Sequence, residues 1–261
     1  MNLILDSHPK IWALDEDQYL FISIYLYLSA PIPGAPSFVS FKLPDHAHIL
    51  PFIKMLPGCR VLWCIRDPLD VVWSMMKLRI PYKNINIPWP AHPGGGRREI
   101  ENSFWVLSDL QREELSGHMH EYGIVINKLM HILQNSPEND IEIAREDLVL
   151  IAALCWRIKN ELPSLYKAHD IDFHVVRYED LVTSPKDQIA ETLNFIGADW
   201  SDKVIMHHRL HDGKSIGNTV NTRAIDQNSL GLGKNNLSQE EQDLIKKICG
   251  KTAKHWHYDL N

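Results

Sequence analysis

Arg66 ends the apolar run Val61–Ile65 in the string RVLWCIRDPLDVVWS, and Ser74 follows it by eight residues. A guanidinium presents a planar fork of N–H donors suited to phosphate, and a hydroxyl about two helical turns further on adds a donor from the same side. Retention of an anion is the chemistry these two residue types support. A local alternative pairs Arg66 with Asp67 or Asp70 and merely ties the turn together. The residue types alone leave both open.

The elements that must position Arg66 are legible around it. Val61–Ile65 suits a buried parallel strand. Asp67-Pro68 reads as a turn that places proline at the first helical position. Arg66 then sits at the strand's carboxyl end, the edge at which open α/β sheets bind ligands.

The rest of the chain continues an α/β alternation. A strand is predicted over Phe38–Phe41 and helical structure over His46–Leu56. The Pro- and Gly-rich stretch Pro81–Gly96 reads as one long loop, a lid or binding loop. Arg97–Gln134 is helical by periodicity, with Trp105, Leu107, Leu110, Leu115, Ile124, Ile126, Leu129 and Leu133 available for burial. A helix over Asp147–His169, a strand over Phe173–Arg177 and a last helix over Gln239–Ile248 complete the pattern. The fold class expected is α/β, a mostly parallel central sheet flanked by helices, with residues 1–261 forming one domain.

Composition narrows the function classes. The formal charge of −6 over 261 residues argues against a general nucleic-acid or anionic-membrane binder, whose footprint is a basic face. The four cysteines, Cys59, Cys64, Cys155 and Cys249, show no paired metal spacing and read as reduced thiols, mostly in the core. The fourteen histidines are scattered and read as surface or cap residues, so no metal is expected. Tyr19–Ala30 is the most apolar stretch, yet at about twelve residues it falls short of a membrane span and reads as a buried helix. With no basic region after Met1, a cytoplasmic location is expected.

Two strings then carry a family resemblance. RVLWCIRDPLDVVWS resembles the 3′-phosphate-binding segment of sulfotransferases that use 3′-phosphoadenosine 5′-phosphosulfate (PAPS), which implies that Arg66 and Ser74 grip the ribose 3′-phosphate. HVVRYEDLVTSPKDQIAETLNFIG, His174–Gly197, resembles the later strand-turn-helix unit of that family and implies that Tyr178 lies near the adenine. With Trp156 and the string GNTVNTRAIDQNSLGLGKNNLSQEE, the match runs through nearly the whole chain in order. Within it, SLGLGKNNL is similar to the family's S-x-G-x-W-x-x-x-L pattern, with Ser229, Gly231, Lys234 and Leu237 fitting and Gly233 standing where the family has Trp. Arg223 and Lys234 are thereby implied as further cofactor-binding residues of the 3′-phosphate cage.

FKLPDHAHILPF is similar to the family's K-T-P or K-T-H string and implies that Lys42 stabilises charge on the transferred sulfuryl group. Where K-T-H members place a histidine base, this chain has Pro44. His46 and Asp45 are the nearest substitutes, and His46 is the catalytic candidate.

The family opens with a strand and a Gly-containing loop of the form R-S-G-T-T that holds the 5′-phosphosulfate. This chain begins instead at MNLILDSHPK, which resembles the stretch after that loop, where a helix ends in a D-S-H-P turn. The resemblance therefore implies a P-loop-related sulfotransferase fold, truncated at its amino terminus, with the first strand and the phosphate loop missing. Gly94-Gly95-Gly96-Arg97-Arg98 reads as a flexible lid with a solvated basic end rather than a replacement loop.

The function implied is transfer of a sulfuryl group from PAPS to an acceptor hydroxyl or amine on a small molecule, glycan, lipid or peptide. Adenosine 3′,5′-bisphosphate (PAP) would be released and no metal required. The alternative is a non-catalytic homologue that binds nucleotide weakly or binds a protein partner.

Overall fold

The structure, a computed structural model, describes residues 1–14, 37–42, 47–49, 58–135, 142–211 and 222–260. In chain order these form α1 (Asn2–Asp6), β1 (Ile11–Leu14), β2 (Phe38–Phe41), β3 (Val61–Ile65), α2 (Pro68–Lys77), β4 (Arg79–Tyr82) and β5 (Ile85–Pro88). Then follow α3 (Gly96–Phe104), α4 (Asp109–Asn135), α5 (Arg145–Ala168), β6 (Phe173–Arg177), α6 (Tyr178–Thr183), α7 (Pro185–Ile196), α8 (Leu232–Asn236) and α9 (Gln239–His255). The architecture is α/β, as expected. The buried helix expected over Tyr19–Ala30, and most of the helix expected over His46–Leu56, lie outside the described residues.

The chain divides into two compact units and passes between them repeatedly. The first comprises residues 1–46, 60–64 and 174–228; the second comprises 47–59, 65–173 and 229–261.

In the first unit β1 and β2 pair in parallel, with Ile11 opposite Phe38 and Leu14 opposite Phe41, and β3 is the hydrogen-bonded neighbour of β6. α1 ends at Asp6, with Ser7 as its C-cap and the Ser7 hydroxyl donating to the Leu3 carbonyl at 3.0 Å. The core gathers Ile4 and Leu5 of α1, Ile11 of β1, Val176 of β6 and Ile189 and Leu193 of α7. α7 stops at Gly197, whose φ of +81° is the left-handed C-cap conformation that glycine adopts without strain.

The second unit is built around α5. Every residue from Asp147 to Ile158 is buried, which is the signature of a helix surrounded by protein on all sides. α9, α3, α2 and α4 pack against it. α9 shows the opposite pattern: Ile245, Ile248, Cys249, Thr252 and Ala253 form one buried stripe at the spacing of a single helix face. Its start is fixed by Ser238, whose hydroxyl accepts from Glu241 N–H while the Glu241 carboxylate accepts from Ser238 N–H, a reciprocal capping box.

Four expectations are corrected in this unit. Pro81–Gly96 is not one long loop: β4 and β5 form an antiparallel hairpin, Ile80 opposite Ile87 and Tyr82 opposite Ile85, turned at Lys83, which takes a φ of +50°. Nor is the glycine run a flexible lid. A β-carbon on Gly95 would overlap the Trp89 carbonyl, and one on Gly96 would press on the Trp89 ring and Pro90, so these glycines exist for close packing.

Residues 97–134 form two helices rather than one. The break falls at Trp105–Ser108, where Ser108 N–H donates to the Gln111 side chain at 3.0 Å and Arg112 donates to the carbonyls of Trp105 and Leu107, each at 3.0 Å. The break also changes which side chains are buried. Leu107, Leu115, Ile126, Leu129 and Leu133 are buried, whereas Trp105, Leu110 and Ile124 are exposed.

Cys155 and Cys249 are buried, but Cys59 is half-buried and Cys64 exposed. Two histidines of the first unit, His8 and His207, are buried rather than on the surface. The His8 Nε2 lies 2.8 Å from the Asp199 carbonyl. Among the described residues no helix is long and apolar enough to cross a membrane, and no group of three or more His, Cys, Asp or Glu could hold a metal ion.

Candidate functional site

Residues 66–70 form a start signal for α2. Asp67 is the N-cap, its carboxylate accepting from Leu69 N–H at 2.8 Å and Asp70 N–H at 3.2 Å. Pro68, which has no N–H to satisfy, takes the first helical position. Arg66 is thus delivered at the carboxyl end of β3, where the sequence places it. Its carbonyl accepts from the indole of buried Trp156 at 2.9 Å.

The Arg66 side chain is about one-fifth exposed and meets Asp70 and Ser229 within the second unit. Nη2 donates to the Asp70 carboxylate at 2.9 Å and to the Ser229 carbonyl. Asp70, only 3% exposed, also accepts from Gly231 N–H at 3.0 Å and Gly233 N–H at 2.7 Å. Burying a carboxylate costs several kcal/mol unless it is paired and hydrogen-bonded. Three donors meet that need here. The local alternative for Arg66, a pairing with Asp70, is therefore real, and it reaches beyond the turn to a loop more than 150 residues away in sequence.

That loop accounts for Gly233. A β-carbon there would overlap the Leu69 carbonyl in the first turn of α2. The backbone approach that lets Gly233 N–H reach Asp70 is open to glycine alone, so the family's Trp does not fit this backbone. Gly231, with a φ of +71°, turns the chain immediately before α8.

Of the other residues implied for the cofactor, two lie in this unit. Lys234 is exposed on α8, directly after the glycine pair. Ser74 is exposed on α2, one turn beyond Asp70 on the same face. The structure thus brings Arg66 and the Ser229–Gly233 loop into contact and places Lys234 next to that loop.

The remaining described candidates are in the first unit. Tyr178, half-buried, opens α6 directly after β6. Arg223 is paired with Asp226 through two hydrogen bonds. The Asp226 carboxylate holds the Arg223 charge, and the same pairing lowers the Asp226 carboxyl. Lys42 follows β2, its N–H donating to the Leu14 carbonyl at 3.1 Å, so the β1–β2 pairing fixes where this lysine leaves the strand. His46 lies outside the described residues.

Asp70 is the site residue that sequence reasoning assigned no role beyond a possible partner of Arg66. The available signal was an acid four residues after an arginine at a new helix start, together with a G-x-G far downstream.

Comparison with known proteins adds a family. A family model described as Sulfotransferase domain matches residues 35–256. No curated protein sequence matches the chain significantly. Among solved structures, the "Sulfotransferase Domain from the Curacin Biosynthetic Pathway" is similar at 13% identity and a TM-score of 0.45, over 94% of this chain and 69% of its own.

Proposed function

Because the chain belongs to the sulfotransferase-domain family, whose chemistry is sulfuryl transfer, we propose that it moves a sulfuryl group from PAPS to an acceptor hydroxyl or amine and releases PAP. The observation that carries this reading is that one family match spans Lys42, Arg66, Ser74, Tyr178, Arg223 and Lys234. Arg66 supplies charge-assisted donors to the 3′-phosphate, Ser74 adds a hydroxyl, and Arg223 and Lys234 complete the charge around it. Tyr178 offers an aromatic surface to the adenine. A cytoplasmic location belongs to the same proposal.

Lys42 carries the chemistry. In-line transfer builds negative charge on the oxygen bridging sulfur to the leaving phosphate, and an ammonium placed there stabilises that charge more than it stabilises the ground state. A sulfuryl group has less negative charge than a phosphoryl group, so a lysine suffices where phosphoryl transfer uses metal ions. The acceptor's proton goes to a base, for which His46 is the nearest candidate.

A second reading is a homologue that binds nucleotide weakly or a protein partner without catalysis. The engagement of Arg66 by Asp70 and the Ser229 carbonyl favours it. Transfer of radiolabelled sulfate from PAPS to a panel of hydroxyl and amine acceptors separates the two. Turnover with any acceptor supports the enzyme. PAP binding without turnover on hydroxyl, amine, sugar and phenol acceptors supports the second reading.

A further inference from the structure

The Asp70 carboxylate occupies a position that the nucleotide reading leaves unexplained. It is buried, and its two oxygens take three donors: the Arg66 guanidinium and the N–H groups of Gly231 and Gly233. Backbone amides turned toward one group form a cradle for an anion, and here the anion is the protein's own, with Gly231 N–H on one carboxylate oxygen and Gly233 N–H on the other. Gly233 is so close to the Leu69 carbonyl that no side chain fits. The loop is therefore seated against the first turn of α2 both by packing and by charge.

We propose that Asp70 is a positioning residue. It latches the Ser229–Gly233 loop onto α2 and holds the Arg66 guanidinium against that loop, so that Arg66 and the segment carrying Lys234 are fixed before the nucleotide arrives. This rests on the reading of Arg66 and Lys234 as 3′-phosphate ligands. Prepaying the order of a loop raises affinity by removing a cost from the binding step. The effect falls on the 3′-phosphate end of the ligand, because that is the end these side chains meet. A ligand without a 3′-phosphate gains nothing from the latch.

The experiment compares the whole chain with Asp70→Asn, which keeps the shape but loses the charge. A second variant, Gly233→Ala, keeps every charge but cannot seat the loop. Calorimetry measures PAP and adenosine 5′-monophosphate binding, and amide hydrogen exchange is followed at Gly231 and Gly233. Expected in both variants is a PAP affinity reduced tenfold or more, adenosine 5′-monophosphate binding changed less than twofold, and exchange at the two glycines accelerated at least tenfold with α5 still protected.

Unchanged protection in Asp70→Asn would overturn the latch. Lost protection with PAP affinity intact would overturn its role in binding. If the unsubstituted chain binds PAP no more tightly than adenosine 5′-monophosphate, the 3′-phosphate reading itself fails, and the binding role of the latch fails with it. That outcome is visible without any variant, whereas the exchange data report on the latch alone.

Discussion

The indole Nε1 of Trp156 donates to the carbonyl of Arg66 at 2.9 Å, which ties the middle of the most buried helix to the residue that follows β3. The backbone of Arg66 is therefore held from the core while its side chain is held by Asp70. Trp156→Phe removes the indole donor together with part of a buried ring, and leaves the Arg66 carbonyl without that donor. We expect a loss of about 1–3 kcal/mol in folding stability, measured by urea unfolding, with the transition still cooperative.

Arg66→Ala removes the proposed 3′-phosphate ligand and, together with it, the cation paired with buried Asp70. PAP affinity should fall at least tenfold while adenosine 5′-monophosphate binding stays nearly the same, and stability should drop by about 1–3 kcal/mol. Calorimetry with the two nucleotides checks the first outcome and thermal unfolding the second. Equal weakening of both nucleotides would remove Arg66 from the 3′-phosphate and leave it a structural tie.

Lys42→Ala should act on turnover and not on the nucleotide. Removal of a group that stabilises charge only in the transition state costs on the order of a hundredfold in kcat, with the PAP dissociation constant within about twofold. A matched loss of PAP affinity would mean that Lys42 binds the ground state.

Acid should weaken the first unit through His207. Burial first, and then the neighbouring His208, push its pKa below the ordinary histidine value, although a hydrogen bond with the Val204 backbone pulls the other way. The unfolded chain therefore takes up this proton at a higher pH than the folded chain does. Stability from this group is complete above about pH 6.5 and declines as pH falls below it. Thermal unfolding from pH 7.5 to 5 should show a falling midpoint, with a shallower slope in His207→Gln. An unchanged slope would assign the acid sensitivity to other groups.

The parts legible in the sequence were those decided by near neighbours. β3, Pro68 at the helix start, β2 and β6 all follow from short apolar runs and turn chemistry, and each stands where it was expected, although β3 is mostly half-buried with Cys64 exposed rather than buried. Pro81 and Pro88 hid the β4–β5 hairpin, because proline lacks the N–H that a ladder uses and argues against a strand. The apolar periodicity runs on through the Ser108–Gln111 capping pair, which is why it predicts one helix where α3 and α4 stand and burial for Trp105, which is exposed. Asp70 is legible as a partner of Arg66 but not as the acceptor for the glycine loop, for a different reason. Its partners Gly231 and Gly233 are distant in sequence, and no local pattern announces which carboxylate a pair of backbone amides will face.

The burial of α5 on every side, set against the single buried stripe of α9, bears on how each helix tolerates change. Along α9, polar replacements should be accepted and refused with a rhythm near the helical repeat. From Leu148 to Ile158 there is no outward position to accept one. A saturation scan would trace a wave along α9 and an unbroken plateau of intolerance along α5, so the stretch least able to vary is one in which no residue is more than 7% exposed.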